Sequence, residues 1–211
     1  MSYYDQYKSK LRTPEEAVKA VKSGDWVEYT TSNGFPALLD EALAARKDEL
    51  SDVKIRGNLI FGPIKVVECE HFIYNSWHCS AYERKLCDKG LCNYIPMIFR
   101  NVVEYYKNFL EINVAMISVT PMDAHGYFNL STSTGIAKGI LDKADIVIVE
   151  VNENLPRVYG GIGDSIHISE VDMVVEGKHG PLFQVHLEEP TEAEIKIAEH
   201  IMPYIPDSAT L

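Results

Sequence analysis

The sequence has 211 residues, of which 46% are hydrophobic, and its 20 basic against 31 acidic side chains give a net charge of −11. That is enough chain for one sizeable core or two small ones, and the acidic balance argues against a nucleic-acid or membrane-surface binder, because both need a basic face. No apolar run reaches the roughly 18 residues of a membrane-crossing helix and Met1-Ser2-Tyr3-Tyr4-Asp5-Gln6-Tyr7-Lys8 has no apolar signal core, so a soluble cytoplasmic protein with reduced thiols is expected.

Thr13-Pro14-Glu15-Glu16 predicts a helix start, with Thr13 as cap, Pro14 at the first helical position and Glu16 three residues after the cap. Ala17, Val18, Ala20 and Val21 form its apolar stripe, and Gly24 stops it. Residues 25–30 alternate at period two and predict a strand. The turn-rich Thr31-Ser32-Asn33-Gly34-Phe35-Pro36 leads into a helix that carries Leu38, Leu39, Ala42, Leu43 and Ala44. A strand over 53–64, interrupted at Gly57-Asn58, is followed by a short strand over 71–74 and a loop over 75–80. A helix over 81–89 ends at Gly90, 94–98 is a short apolar segment, and 101–109 reads as a helix.

Residues 114–150 are the organising unit. Val114-Ala115-Met116-Ile117-Ser118-Val119 and Ile146-Val147-Ile148-Val149-Glu150-Val151 read as two strands, joined through a loop over 120–135 and a helix over 136–143. Two β-branched runs with a crossover helix predict a buried parallel sheet, whose ligands bind at the carboxyl ends of its strands. A loop over 152–159 and the glycine-dense Gly160-Gly161-Ile162-Gly163-Asp164-Ser165 follow. Segments 166–169 and 171–176 flank an acidic patch, and 178–190 reads as a mobile connection. Thr191 caps a last helix carrying Ile195, Ile197, Ala198 and Ile201. This alternation predicts an open, mainly parallel α/β sheet.

The chemical motifs are sparse. Gly160-Gly161-Ile162-Gly163 lacks the GxGxxG spacing of a dinucleotide loop and reads as a tight turn needing positive φ. Ser32-Asn33-Gly34 has two open readings, an anion-holding turn at a helix N-terminus or a plain turn. His78, His125 and His167 form no i,i+4 pair, so no metal site is expected. Cys69, Cys79, Cys87 and Cys92 contain no CxxC pair, which weakens a zinc reading, and Cys79 and Cys92 read as small buried apolar side chains. Ser76, Ser131, Ser133 and Ser169 lie in no GxSxG elbow. The residues alone therefore give an α/β ligand-binding domain without a nucleophile.

Three segments resemble the acetyl-CoA hydrolase/transferase family, in particular its 4-hydroxybutyrate and butyryl-CoA:acetate CoA-transferases. They are Tyr7-Lys8-Ser9-Lys10-Leu11 through Lys22-Ser23-Gly24-Asp25-Trp26-Val27; Pro121-Met122-Asp123-Ala124-His125-Gly126-Tyr127; and Val149-Glu150-Val151-Asn152-Glu153-Asn154-Leu155-Pro156-Arg157 with Ile166-His167-Ile168-Ser169-Glu170-Val171-Asp172. Asn75-Ser76-Trp77-His78 and Asp40-Glu41-Ala42-Leu43-Ala44-Ala45-Arg46 are similar too, so the resemblance covers nearly the whole chain. It implies helices on both faces of the sheet and a homo-oligomer. It also implies a reaction: CoA moves from 4-hydroxybutyryl-, butyryl- or acetyl-CoA to a free carboxylate such as acetate, through a glutamyl-CoA thioester. CoA thioester is then a substrate, and no permanently bound cofactor is expected.

Ile205-Pro206-Asp207-Ser208-Ala209-Thr210-Leu211 resembles the family's mid-chain run. Residues 1–211 are therefore expected to be the N-terminal domain, with the catalytic glutamate in a missing C-terminal half and no catalytic residue here. A histidine that some 4-hydroxybutyrate enzymes carry after the first strand corresponds to Thr31. The resemblance places Thr31, Ser32, Asn33, Gly34, Gly57 and Asn58 around a carboxylate pocket. It places Asn75, Ser76, His125, Gly126 and Gly163 near the missing half. An acetyl-CoA hydrolase using water as acceptor, or a non-catalytic acyl-CoA or carboxylate binding module, is the alternative.

Overall fold

Parallel strands cannot be joined by hairpins, so the chain alternates between strand and crossover. The computed structural model describes residues 2–184 and 188–210. Its strands are β1 Leu11–Arg12, β2 Trp26–Thr31, β3 Val53–Asn58, β4 Phe72–Ser76, β5 Asn93–Tyr94, β6 Val114–Val119, β7 Tyr127–Asn129, β8 Ile146–Val151, β9 Ser165–His167 and β10 Met173–Glu176. Eight of them form one sheet in the order β1-β10-β8-β6-β2-β3-β4-β5, and every neighbouring pair in it is parallel. β7 and β9 make a separate antiparallel ribbon.

The helices are α1 Tyr3–Lys10, α2 Pro14–Ala17, α3 Ala37–Ala44, α4 Ala81–Asp88, α5 Val102–Asn108, α6 Thr134–Leu141 and α7 Glu192–Ile201. They cover both faces of the sheet. Val114 and Met116 of β6 pack into a core with Ala17, Leu39, Leu43 and Leu86, from α2, α3 and α4. Ala115, Ile117 and Val119 point the other way, into a second core with Val102, Tyr106, Ile136 and Ile140 of α5 and α6. All six residues of β6 are buried, which is why its sequence is apolar at every position but Ser118 and does not alternate.

The boundaries differ from the sequence reading in four places. The strand expected over 53–64 ends at Asn58. Leu59 there takes a left-handed backbone, φ 49°, and its amide donates to the His78 carbonyl at 2.8 Å, so the chain leaves the sheet. Asn75 and Ser76, expected in a loop, finish β4. The β7–β9 ribbon has no counterpart in the sequence reading: β7 lies in the expected 120–135 loop and β9 spans the end of the glycine-dense run and the start of segment 166–169, since three-residue strands carry no measurable periodicity. The connection over 178–190 has no helix or strand in its described part, but it is anchored, because the His179 side chain is only 5% exposed; residues 185–187 lie outside the described residues.

Two expected caps are present as reciprocal boxes, Thr13 with Glu16 and Thr191 with Glu194. The stripe of α7 is unburied: Ile195, Ile197 and Ile201 are 46%, 57% and 51% exposed. No helix among the described residues is long and apolar enough to cross a membrane.

Candidate functional site at the carboxyl edge

Strand order reverses between β2 and β6. From β2 the chain builds outward through β3, β4 and β5, and from β6 it builds the other way through β8 and β10. The loops after β2 and β6 therefore diverge, and the crevice between them at the carboxyl edge is where open α/β sheets bind ligands. Here the two loops touch. Ser133 Oγ donates to the Thr31 carbonyl at 2.8 Å. A Cβ on Gly34 would lie 2.3 Å from Thr30 Cγ2 and 2.8 Å from Ser133 Cβ, so only glycine fits this approach. Ser32 and Ser131, at the head of each turn, both take the left-handed region at φ 53°. Such backbone costs on the order of 1–3 kcal/mol per residue and persists only where the surroundings enforce it.

Beside this crossing lies a cavity of about 380 Å³. Ser32, Asn33 and Phe35 form one wall, Ile60, Phe61 and Pro63 from the loop after β3 form another, and Asn152 and residues 179–183 close it. Phe61 stacks on Phe183, centroids 4.3 Å apart and 15° from parallel, which ties the closing strap to the β3 loop. The lining thus combines aromatic surface with side-chain hydroxyl and amide groups, a composition suited to a small amphipathic ligand.

The strap is held by charge. His179 Nε2 lies 3.0 Å from Glu150 Oε1, and His179 Nδ1 lies 3.6 Å from Glu153 Oε2. Burial opposes the imidazolium, but the hydrogen bond and charge of Glu150, with Glu153 behind them, outweigh it and raise the His179 pKa. The second Glu150 oxygen accepts the Leu39 amide of α3 at 2.9 Å. This amide in the first turn of α3 is therefore occupied by a carboxylate of the chain itself. That weighs against a helix-end anion site and leaves the half-buried side chains of Ser32 and Asn33 as the polar groups that this turn directs toward the cavity. Asp40, further along α3, accepts from Tyr29 Oη at 3.2 Å and from the Lys65 amide at 2.5 Å. Burial pushes its pKa up to about 7 against those hydrogen bonds, and the nearby Glu150 charge adds to the rise.

Of the residues singled out in the sequence, Ser32 and Asn33 line the cavity and Thr31 and Gly34 support it. Gly57 and Asn58 end β3 just before the cavity's second wall. Gly57 is required because a Cβ there would meet Tyr74 Oη at 2.5 Å. Asn75 is structural, its Nδ2 donating to the Ile55 and Ile73 carbonyls at 3.2 Å each. Asn58 Nδ2 and Ser76 Oγ are buried at the ends of adjacent strands with no partner among the described residues. His125, Gly126 and Gly163 leave the same edge around the β7–β9 ribbon and do not line the cavity. His125 is exposed, and Gly126 and Gly163 take φ of 83° and 91°. The glycine-dense run is the positive-φ turn its sequence suggests, with Gly161 at 76°.

Sequence reasoning missed His179, Glu150, Asn152 and the Phe61–Phe183 stack. A glutamate inside the otherwise apolar β8 was a readable signal, because a carboxylate fully inside a sheet needs a partner. Which partner it takes is set by a residue 29 positions later, beyond any local pattern. Asn129 was also missed. Its Nδ2 donates to the Val158 and Asp164 carbonyls at 3.0 and 3.1 Å, and its Oδ1 accepts from the Ser131 and Val158 amides, so it fixes the turn facing Ser32.

Comparison with known proteins gives a consistent picture. The acetyl-CoA hydrolase/transferase N-terminal domain family matches residues 1–183. The butyryl-CoA:acetate CoA-transferase of Anaerostipes caccae is 42% identical over 217 residues, an alignment covering 100% of this chain and 49% of that protein. The probable butyrate:acetyl-CoA coenzyme A-transferase of Syntrophomonas wolfei is 43% identical, covering 96% and 46%. Among solved structures, RipA from Yersinia pestis superposes with a TM-score of 0.88 at 31% identity over 99% of this chain and 51% of that one. The chain spans about half the length of the curated relatives it matches.

Proposed function

Because the chain belongs to the acetyl-CoA hydrolase/transferase N-terminal domain family, we propose that it is the substrate-binding half of a CoA-transferase. The whole protein moves CoA between a short acyl-CoA, such as butyryl- or 4-hydroxybutyryl-CoA, and a free carboxylate such as acetate. The observation that carries this reading is the cavity at the strand-order reversal, with Ser32 and Asn33 facing Phe35, Phe61 and Phe183. A short acyl chain needs apolar walls, and its carboxylate needs hydrogen-bond donors, which the Ser32 hydroxyl and Asn33 amide are.

The nucleophile belongs to the other half. A glutamate carboxylate attacks the thioester carbonyl, expelling CoA thiolate and leaving a mixed anhydride. The thiolate then attacks the glutamyl carbonyl, releasing the first carboxylate and leaving a glutamyl-CoA thioester. The acceptor carboxylate attacks that thioester and the two steps run in reverse. The buried carboxylates of this chain support that division of labour, since each is already engaged. Glu28 is held by Arg56 and Tyr106, Asp40 by Tyr29 and Lys65, Glu83 by the Ile60 and Ser80 amides and Tyr74, and Glu150 by Leu39 and His179.

The test is steady-state kinetics on the protein with both halves. Asn33→Ala is expected to raise KM for acetate about ten- to a hundredfold, with a smaller effect on the acyl-CoA, since a hydrogen bond to a charged group contributes about 1.5–3 kcal/mol. Unchanged acceptor kinetics would remove the cavity from the reading. The 211-residue chain alone is expected to give no turnover until a separately expressed C-terminal half is added. Robust transfer by this chain alone would put the nucleophile in the wrong half.

A further inference from the structure

The four cysteines are spread over residues 69–92 with no CxxC pair, yet three of them converge. The Sγ atoms of Cys79, Cys87 and Cys92 all lie within 4.8 Å of one another, and Cys79 and Cys87 are 3.8 Å apart. The crossover from β4 through α4 to β5 brings them together. Cys79 precedes the α4 cap Ser80, Cys87 sits in the last turn of α4, and Cys92 immediately precedes β5. Cys69 stands elsewhere, its thiol directed at the Ala44 carbonyl at 3.6 Å.

We propose that Cys79, Cys87 and Cys92 form a three-thiolate site for a soft divalent cation of the zinc type. Two bonds of about 2.3 Å from one zinc ion, at a tetrahedral angle, hold their sulfurs about 3.8 Å apart, which is the Cys79–Cys87 separation. The donor set is sulfur alone. The neighbouring carboxylate, Glu83, is committed to the Ile60 and Ser80 amides and to Tyr74 Oη. A site of thiolates without oxygen ligands selects soft cations over magnesium or calcium. A disulfide would use only two of the three sulfurs and would require them to close to about 2.05 Å.

Access and charge fit the same occupant. Cys79 and Cys87 line a groove of about 730 Å³ together with His78, Arg84, Lys85 and Asp88, while Cys92 is buried. A cation arriving from the groove meets two half-buried thiols first and the buried one last. Cysteine binds such an ion as thiolate, so each sulfur–metal bond formed releases one proton to solvent. Three thiolates on a divalent ion leave one net negative charge, which Arg84 and Lys85 on the groove wall offset.

Zinc titration of the reduced, metal-free, untagged 211-residue chain against a chromophoric chelator tests this. One equivalent is expected to bind, and zinc is expected to protect Cys79, Cys87 and Cys92 from alkylation while Cys69 reacts at an unchanged rate. Cobalt in its place is expected to give sulfur-to-metal charge-transfer absorption. Cys87→Ser loses the ion and Cys69→Ser keeps it. The alkylation pattern of the wild-type chain decides the matter even if Cys87→Ser fails to fold. Alkylation unaltered by zinc, equal uptake by a folded Cys87→Ser, or a Cys79–Cys87 disulfide that forms while no zinc is taken up would overturn the proposal.

Discussion

Among the described residues, two acid–base pairs have side chains almost wholly out of solvent, and they behave differently. Arg56 Nε meets Glu28 Oε2 at 2.7 Å, with side chains 2% and 0% exposed, inside the sheet between β2 and β3. Tyr106 donates to the other Glu28 oxygen, the Glu111 carbonyl accepts from Arg56, and the guanidinium lies 4.3 Å from the Trp26 ring centroid. His179 meets Glu150 at 3.0 Å with side chains 5% and 0% exposed, but it does so at the cavity, on a strap without regular structure. The first pair has a cation that is always charged and is held by Glu28, the Glu111 carbonyl and the Trp26 ring together. The second has a cation that can lose its charge by deprotonation and only one close partner. Two buried ion pairs thus differ in what they hold: the Arg56 pair ties β2 to β3, whereas the His179 pair latches a wall of the cavity.

The largest effect is expected from breaking the sheet pair. Arg56→Met leaves Glu28 buried and uncompensated, which costs about 3–5 kcal/mol. Burial already pushes the Glu28 pKa up to about 7 despite Arg56 and Tyr106. Urea denaturation checks the loss, and adding Glu28→Gln to Arg56→Met is expected to recover part of it by removing the stranded charge. A loss below about 1 kcal/mol would mean that Glu28 is neutral in the folded protein and that the pair is not ionic.

A smaller, pH-dependent effect is expected at the latch. His179→Gln removes a charge-assisted hydrogen bond worth about 1.5–3 kcal/mol. The His179 pKa is raised on folding, so the folded state binds more protons. Its contribution is therefore fully present below about pH 6.5, the unfolded value, and fades as pH rises through the higher folded value. The stability difference between wild type and His179→Gln should shrink over that window. Hydrogen exchange in residues 178–183, corrected for intrinsic rate, should quicken in wild type over the same range. A difference that does not vary with pH would show that the latch is packing and not charge.

The smallest effect calibrates both. Lys107 and Glu104 are 3.7 Å apart on α5, with side chains 58% and 68% exposed. Lys107→Ala should change stability by less than about 0.5 kcal/mol, and added salt should erase even that. A larger loss, measured by the same denaturation, would mean that burial is not what separates the two inner pairs from the surface.

Much of the architecture was legible because its causes are local. Continuous β-branched runs at 114–119 and 146–151 specified strands buried on both faces. Thr13-Pro14-Glu15-Glu16 and Thr191-Glu192-Ala193-Glu194 specified helix starts, since a cap is a relation between residues three apart. That Ser32 and Asn33 lie at the carboxyl edge, where they line the cavity, was legible because they form the turn after a parallel strand. The β7–β9 ribbon was not, because pairing Tyr127 with His167 across forty residues leaves no trace in either short segment.

The alternation of strand and helix, the caps, the glycine turns and the resemblance to a family are all written in the amino-acid order. Each depends on residues within a few positions of one another or on a run of side chains read in order. That Glu150 holds both α3 and His179, that Phe61 meets Phe183, and that three of the four cysteines converge emerges only once the chain is folded. Those relations depend on strand order. The reversal between β2 and β6 brings loops a hundred residues apart into contact, and no local preference encodes which strands become neighbours.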